Sequence, residues 1–168
     1  MSYTRRMPRS ALILIICSAL AVPVGAVTVV PLTFEQLVNQ SAAVVLGRVV
    51  DVRSDFTDDR RAIQSVVTVE VLRGLKGRSG ETLSFAVPGG QAGRYLNVIP
   101  GAPVFSRGDL AVFFVSSRGA RLPVTTGFSQ GIFRVQRGAA NQMIVNQKVP
   151  MPLGTFEANV RAIVDAAR

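Results

Sequence analysis

The side chains that most often perform catalysis or bind transition metals are nearly absent from this sequence. Histidine does not occur among the 168 residues, and the single cysteine is Cys17. Histidine is the usual general base near neutral pH, and histidine and cysteine are the usual ligands of zinc. Cys17 lies in a segment that we expect to be removed, so the mature chain would have no thiol and no disulfide. The composition therefore predicts a protein that is not an enzyme and uses no cofactor.

The remaining groups that could support chemistry are carboxylates and one serine–lysine pair. Asp55, Asp58 and Asp59 lie close together beside two arginines. A catalytic carboxyl pair needs two different environments to separate its pKa values, and these three are expected to be equally solvated. Their spacing also lacks the glycine and the distal glutamate of a calcium-binding EF-hand loop. Ser79 and Lys76 could form a nucleophile–base dyad, but both fall in a turn, so we predict neither catalytic residues nor a metal site.

The strongest candidate for a binding surface is a long segment that is rich in glycine and proline. The 21 residues from 88 to 108 include five glycines and three prolines. Loops of this length without regular structure are uncommon in compact domains and often carry function. Backbone N–H groups in such glycine turns can also form an anion-binding nest. The predicted binding residues all lie in this segment and are Arg94, Tyr95, Asn97 and Arg107.

The N-terminus has the layout of a secretory signal peptide. Three arginines in the first nine residues precede an apolar run over 11–24, and small residues follow as far as Ala26. We predict a signal peptide over 1–26, cleavage after Ala26, and a secreted or periplasmic protein without a stable transmembrane span. The alternative is a retained anchor over 11–30, which proline, glycine and threonine interrupt. Removal of the signal lowers the net charge from +9 to +6, since three arginines leave with it.

Residues 27–168 are predicted to form one domain that is mainly β. Alternating or continuous apolar residues predict strands over 43–53, 63–72, 82–87, 96–99, 109–116, 128–135 and 142–145. Thr33 and Gln36 form a capping box for a helix over 32–42, and Thr155 is the expected cap of a closing helix. Short antiparallel strands with a helix at each end predict a small antiparallel β-barrel of the OB type. A β-sandwich is the alternative.

The first strand and the aromatic residues give more detailed expectations. Gly47 in mid-strand predicts a bend or bulge. Apolar residues on both faces of this strand predict that it is covered on both sides, partly by a helix. The aromatic residues predicted to be in the core are Phe85, Phe113 and Phe114, and those predicted to be exposed are Tyr95, Phe105 and Phe128.

Two stretches carry a resemblance to a known family. The first is the strand Ala43–Val49 after a short helix, and the second is 68–77, where a strand ends in a Lys-Gly turn. Both resemble the netrin-like modules, the OB-type domains that include the tissue inhibitors of metalloproteinases. The resemblance implies an OB-type barrel and a regulator of a secreted peptidase. Those inhibitors bind the zinc of their target through an N-terminal cysteine, whereas Val27 would stand first here, so no inhibitory residue is carried over.

These observations predict an exported, non-enzymatic binding or interaction module with an unknown ligand and a contact surface at 88–108. The alternatives are a regulator of a secreted peptidase and a structural component of the envelope. A basic exported domain is suited to bind a secreted protein, such as a peptidase, or an anionic envelope component. Nucleic acid is not an expected partner, because the chain is predicted to be exported and most of its phenylalanines occupy core positions.

Overall fold

The structure, a computed structural model, describes residues 30–119, 121–138, 142–146 and 149–167. The predicted signal peptide over 1–26 lies outside these residues. The elements are, in chain order, α1 (Phe34–Gln40), β1 (Ala43–Phe56), β2 (Ile63–Lys76), β3 (Thr82–Pro88), β4 (Gly90–Ala92), β5 (Tyr95–Asn97), β6 (Leu110–Arg118), β7 (Arg121–Thr125), a 3-10 turn (Phe128–Gly131), β8 (Ile132–Arg137), β9 (Met143–Asn146), β10 (Met151–Pro152) and α2 (Leu153–Ala166).

Five of the strands close into a ring. Their order is β1-β2-β3-β7-β6, and β6 pairs back with β1. Numbered along the chain, the barrel strands follow the order 1-2-3-5-4-1, which makes a five-stranded Greek-key barrel and confirms the predicted OB-like fold. The prediction of a purely antiparallel sheet is wrong at one place, because β3 and β7 run parallel and meet at Ala86 and Val124. Strands β8, β9 and β10 extend the sheet beyond β6.

The barrel wall separates two apolar cores. The interior is filled by Val45, Val49, Val67, Val69, Phe85, Val87, Phe105, Ala111, Phe113 and Val115. The outer core lies between the wall and the two helices and includes Leu37, Val38, Val44, Leu46, Val112, Phe114, Val135, Val145, Phe156 and Val160. Strands β1 and β6 contribute to both cores because successive side chains of a strand point to opposite faces. This confirms that the first strand is covered on both sides, partly by helices.

The pairing of β1 with β2 is irregular at three places. The register shifts after Val44, between Leu46 and Gly47, and after Val49, and the shift at Gly47 confirms the predicted bulge. A Cβ atom at Gly47 would lie only 2.9 Å from the carbonyl oxygen of Glu70, so the two strands approach closely there. Beyond the last shift, Val52 packs on the interior core.

The helices follow their capping signals only in part. The capping box of α1 is confirmed, since Gln36 N donates to Thr33 Oγ1 at 3.1 Å and Thr33 N donates to Gln36 Oε1 at 2.9 Å. The helix is shorter than predicted and ends at Gln40. Thr155 is not the cap of α2, because this helix begins at Leu153, directly after Pro152. Proline is well suited to a helix start, since its ring restricts φ to helical values.

Strand bounds differ from the prediction where tertiary pairing extends or adds a strand. β2 runs through the predicted turn to Lys76, which pairs with Val44 at the start of β1. Strand β7 was not predicted, because Pro123 stands in the middle of this five-residue segment and cannot donate to a ladder. The predicted hairpin near the C-terminal end is confirmed in β8 and β9, but Phe128 begins a 3-10 turn instead of a strand.

Candidate functional site

The predicted loop over 88–108 contains a short hairpin at the open end of the barrel. Its strands β4 and β5 pair through Gly90 with Asn97 and Ala92 with Tyr95. The strand predicted at 96–99 therefore exists but begins one residue earlier. Gly89 N donates to Ile63 O at 2.8 Å, so the hairpin is attached to the first residue of β2. The segment is therefore not a continuous loop, because it contains a separate two-stranded sheet that includes the predicted strand.

Two glycines and two serines fix the hairpin at its base. Gly89 and Gly90 have φ values of 89° and 131°, a region that favours glycine because it has no Cβ. Ser65 Oγ donates to Gly89 O at 2.7 Å and lies 2.8 Å from Ser54 Oγ. A Cβ atom at Gly90 would overlap both hydroxyl oxygens and would lie 2.8 Å from Ser54 Cβ. The backbone of the hairpin thus lies directly on the hydroxyl pair.

The far end of the segment fills the barrel. Phe105 is only 8% exposed, and its ring centroid lies 5.8 Å from that of Phe85 and 5.9 Å from that of Phe113. The prediction that Phe105 is exposed is therefore wrong. Tyr95 is 52% exposed, as predicted, and Phe128 is half-buried. The segment has two parts with different roles. The part around Phe105 fills the barrel and is called the plug, and the exposed part is the hairpin of β4 and β5.

Arg134 on β8 secures the plug, although no local sequence pattern singled it out. Its Nη1 lies 2.8 Å from Asp109 Oδ2, its Nη2 donates to Val104 O, and its guanidinium lies 5.7 Å from the Phe105 ring centroid. Burial raises the pKa of Asp109, but the Ser106 N–H and Arg134 outweigh it and hold this pKa below its ordinary value of 3.8. The contacts join groups 25 and 30 residues apart, so no local pattern could indicate them.

This ion pair predicts a dependence of stability on pH. The pKa of Asp109 is lower in the folded protein, so its stabilisation is present above 3.8 and disappears as the pH falls through the lowered pKa. We expect Asp109→Asn to lower the free energy of unfolding at pH 6 and to have a smaller effect at pH 2.5. Urea unfolding at both pH values measures this difference. An equal loss of unfolding free energy at the two pH values would show that the negative charge of Asp109 does not stabilise the folded protein.

An apolar patch surrounds a cavity at this end of the barrel. The cavity measures about 250 Å³ and is lined by Val52, Ser54, Ser65, Val67, Val87, Pro88, Gly89, Gly90, Gln91, Leu96, Asn97, Val98, Ile99, Ala102, Pro103, Val104 and Phe105. We define the mouth patch as the exposed residues Leu96, Val98 and Val104, which line the cavity, together with the exposed pair Tyr95 and Phe56. The rings of Phe56 and Tyr95 meet edge to face at 5.7 Å. Contiguous exposed apolar groups of this kind mark contact surfaces.

The structure places three of the four predicted binding residues on the hairpin. Arg94 Nη2 donates to the Tyr95 hydroxyl at 3.0 Å, and its guanidinium lies 5.1 Å from the Tyr95 ring centroid. Asn97 lines the cavity. Arg107 is engaged elsewhere, because its Nη2 lies 3.3 Å from Asp51 Oδ1, and the other oxygen of Asp51 pairs with Arg53 at 2.7 Å. Arg107 therefore belongs to a separate charge cluster on β1.

Two of the three carboxylates predicted to be exposed have local structural partners. Thr57 Oγ1 donates to Asp59 Oδ1 at 2.6 Å, and the Arg61 N–H donates to the same oxygen at 3.2 Å. These two hydrogen bonds lower the pKa of Asp59. Asp55 accepts from Phe56 N at 2.7 Å and is exposed. Among the described residues, no three metal-binding side chains of the histidine, cysteine and carboxylate types form a group that could hold an ion.

The serine–lysine pair and the buried acid also have other partners. Lys76 Nζ donates to Val38 O at 2.6 Å and to Asn39 O at 3.1 Å, so it satisfies the carbonyl end of α1 instead of activating Ser79. Glu157 on α2 is 5% exposed, and its Oε2 lies 3.0 Å from Arg73 Nη1. The ionic partner of this buried acid is thus an arginine and not a second carboxyl group.

Comparison with known proteins adds no assignment. Neither a family model, nor a curated protein, nor a solved structure matches the chain. None of the helices that the structure describes is long and apolar enough to cross a membrane. Function is therefore argued from the mouth patch and its surroundings.

Proposed function

We propose that the protein is an exported, non-enzymatic binding module and that it contacts its partner through the mouth patch. The predicted signal peptide supports export, and the sequence without histidine supports a role other than catalysis. The observation that carries the proposal is the combination of exposed apolar side chains, a cavity beneath them and an arginine stacked on a tyrosine. Tyrosine and arginine are enriched among the residues that dominate binding energy at protein interfaces.

The architecture explains why this surface can be specific. The hairpin is attached to the barrel through the Ser54 and Ser65 hydroxyls, and the plug is held by Arg134. A contact surface that is ordered before binding loses little conformational entropy when the partner arrives. The mouth patch therefore has the rigid support that a binding site requires, although it lies on a segment rich in glycine and proline.

Loss of the patch is expected to abolish partner recovery. We expect Arg94→Ala combined with Tyr95→Ala to lower the yield of a cross-linked partner from an envelope extract by about tenfold, as for truncated interface hot spots. Quantitative mass spectrometry of the purified complexes measures this yield. The matched control is Arg78→Ala with Leu122→Ala, which removes one exposed arginine and one exposed apolar residue outside the patch. Equal recovery with both variants would overturn the proposal, and a secreted peptidase as the partner would favour the role of regulator.

A further inference from the structure

We propose that the partner of the mouth patch is an extended polypeptide segment that carries acidic residues beside a bulky apolar one. The segment adds to the hairpin as a third strand along β5 and places its apolar side chain in the cavity. This inference rests on the proposed binding function and specifies the chemistry and conformation of the partner. It follows from three independent features, which are the free edge of β5, the size of the cavity and the positive charge of Arg94 and of the chain.

The first feature is an unpaired strand edge. Strands β4 and β5 form a separate two-stranded sheet, and within the described part of the chain β5 pairs with β4 alone. The backbone N–H and C=O groups on the outer edge of β5 therefore remain available. Such an edge acts as a template for a further strand, and peptide-binding domains use it in this way. Leu96, in the middle of β5, is 68% exposed, so a partner can reach this strand.

The second feature is the cavity beside that edge. Leu96, Val98 and Val104 line it and are 68%, 73% and 78% exposed, so a partner could contact all three. Its volume of about 250 Å³ is below the range of pockets that enclose drug-sized ligands or cofactors. One or two apolar side chains of a strand fill such a space, because every second residue of an extended segment points to the same face. The dimensions thus favour a polypeptide over a cofactor.

The third feature is charge. Arg94 interacts with the Tyr95 ring and hydroxyl, and no carboxylate within the described part of the chain pairs with it. The residues that follow the predicted signal carry a net charge of +6, so a second copy would meet like charge. Complementary charge steers association and excludes wrong partners, and here it selects an acidic segment.

Two matched peptide libraries test the inference directly. Both consist of fluorescent nine-residue peptides with a centre of alternating valine, leucine or phenylalanine. The first carries two glutamates at each end, and the second carries two lysines. We expect the acidic library to bind at least about tenfold more tightly in fluorescence anisotropy, and the difference to shrink as salt rises. Amide resonances of Leu96 and Val98 are expected to shift in NMR spectra on addition of the tightest acidic peptide.

Two surface variants connect the binding to this edge. Val98→Asp introduces a charge into the cavity lining and is expected to weaken acidic peptides by about tenfold or more. Val149→Asp is the matched control, because Val149 is 72% exposed and lies outside the cavity. Arg94→Ala is expected to weaken the acidic library while leaving the lysine library unchanged. All three changes affect exposed side chains, so the variants are expected to fold, which circular dichroism verifies.

The outcomes separate this inference from the proposed function. Equal binding of the two libraries, or equal effects of Val98→Asp and Val149→Asp, would overturn the inference. If the Arg94 and Tyr95 variant still lost its envelope partner, the binding function would stand and only the extended acidic segment would be wrong. An apolar dye, 1-anilinonaphthalene-8-sulfonate, provides a further arm. If the dye binds in the cavity and no acidic peptide displaces it, the cavity is a small-molecule site, and this result would also overturn the inference.

Discussion

Replacement of Gly90 by alanine is expected to detach the hairpin from the barrel and to lower the free energy of unfolding by about 3 kcal/mol. Its φ of 131° is strained for a residue with a Cβ, which costs about 1–3 kcal/mol. The added methyl group would also overlap the hydroxyls of Ser54 and Ser65, and overpacking of this kind costs about 1–3 kcal/mol more. Chemical denaturation measures the loss. Faster amide exchange in β4 and β5 would show where it occurs.

Gly93 in the same hairpin provides the matched control for Gly90. It also has a positive φ, 58°, but a Cβ atom there would meet nothing within 4 Å. Gly93→Ala therefore carries only the conformational strain of about 1–2 kcal/mol. Removal of both serine hydroxyls is expected to be less harmful in the Gly90→Ala background than in the natural protein, because it relieves the overlap. Equal destabilisation by the two glycine variants would contradict the close contact described for Gly90.

Replacement of Phe105 by alanine is expected to lower the free energy of unfolding by about 3–5 kcal/mol, the usual cost of removing a buried aromatic ring. The ring packs between Phe85 and Phe113 inside the barrel, and the guanidinium of Arg134 lies above it. Its loss would leave a space that connects with the cavity at the barrel mouth, since Phe105 lines that cavity. Urea denaturation measures the change.

The matched control for Phe105 is another phenylalanine at the same end of the barrel. Phe56 is 38% exposed and contacts Tyr95 in the mouth patch. We expect Phe56→Ala to lower the free energy of unfolding by less than about 1.5 kcal/mol. An exposed ring buries much less apolar area on folding, so less burial free energy is lost with it. A loss for Phe105→Ala no greater than that for Phe56→Ala would mean that the plug does not support the barrel.

Local sequence patterns account for most of the barrel. The alternation in β2 and β3, the bulge at Gly47 and the capping box at Thr33 all depend on neighbours within a few residues, and these predictions are confirmed. Strand β7 lacked such a pattern, because Pro123 interrupts it and the barrel needs only one register pair between β7 and β3. Its place is determined by ring closure, which is a property of the whole sheet and not of the segment.

Sequence patterns indicated the segment of the candidate site but not its organisation. The glycine and proline content drew attention to 88–108, since both residue types mark departures from regular structure. The same content concealed the hairpin, because β4 begins with Gly90, and strands rarely contain glycine. The burial of Phe105 and the separation of Arg107 from Arg94 depend on Arg134 and Asp51, which are distant in sequence. Spacing along the chain cannot reveal such contacts.

The pairing of β1 with β6 also has a consequence for the rate of folding. Val44 pairs with Phe114, so the ring cannot close until residues 70 positions apart have met. Such a high contact order places β-barrels among the slower folders, with times of milliseconds to seconds. A chain exported as proposed gains from this delay, because a translocating polypeptide must stay unfolded until its C-terminal half has crossed. Closure of the barrel by β1 and β6 is therefore expected to be a late step of folding.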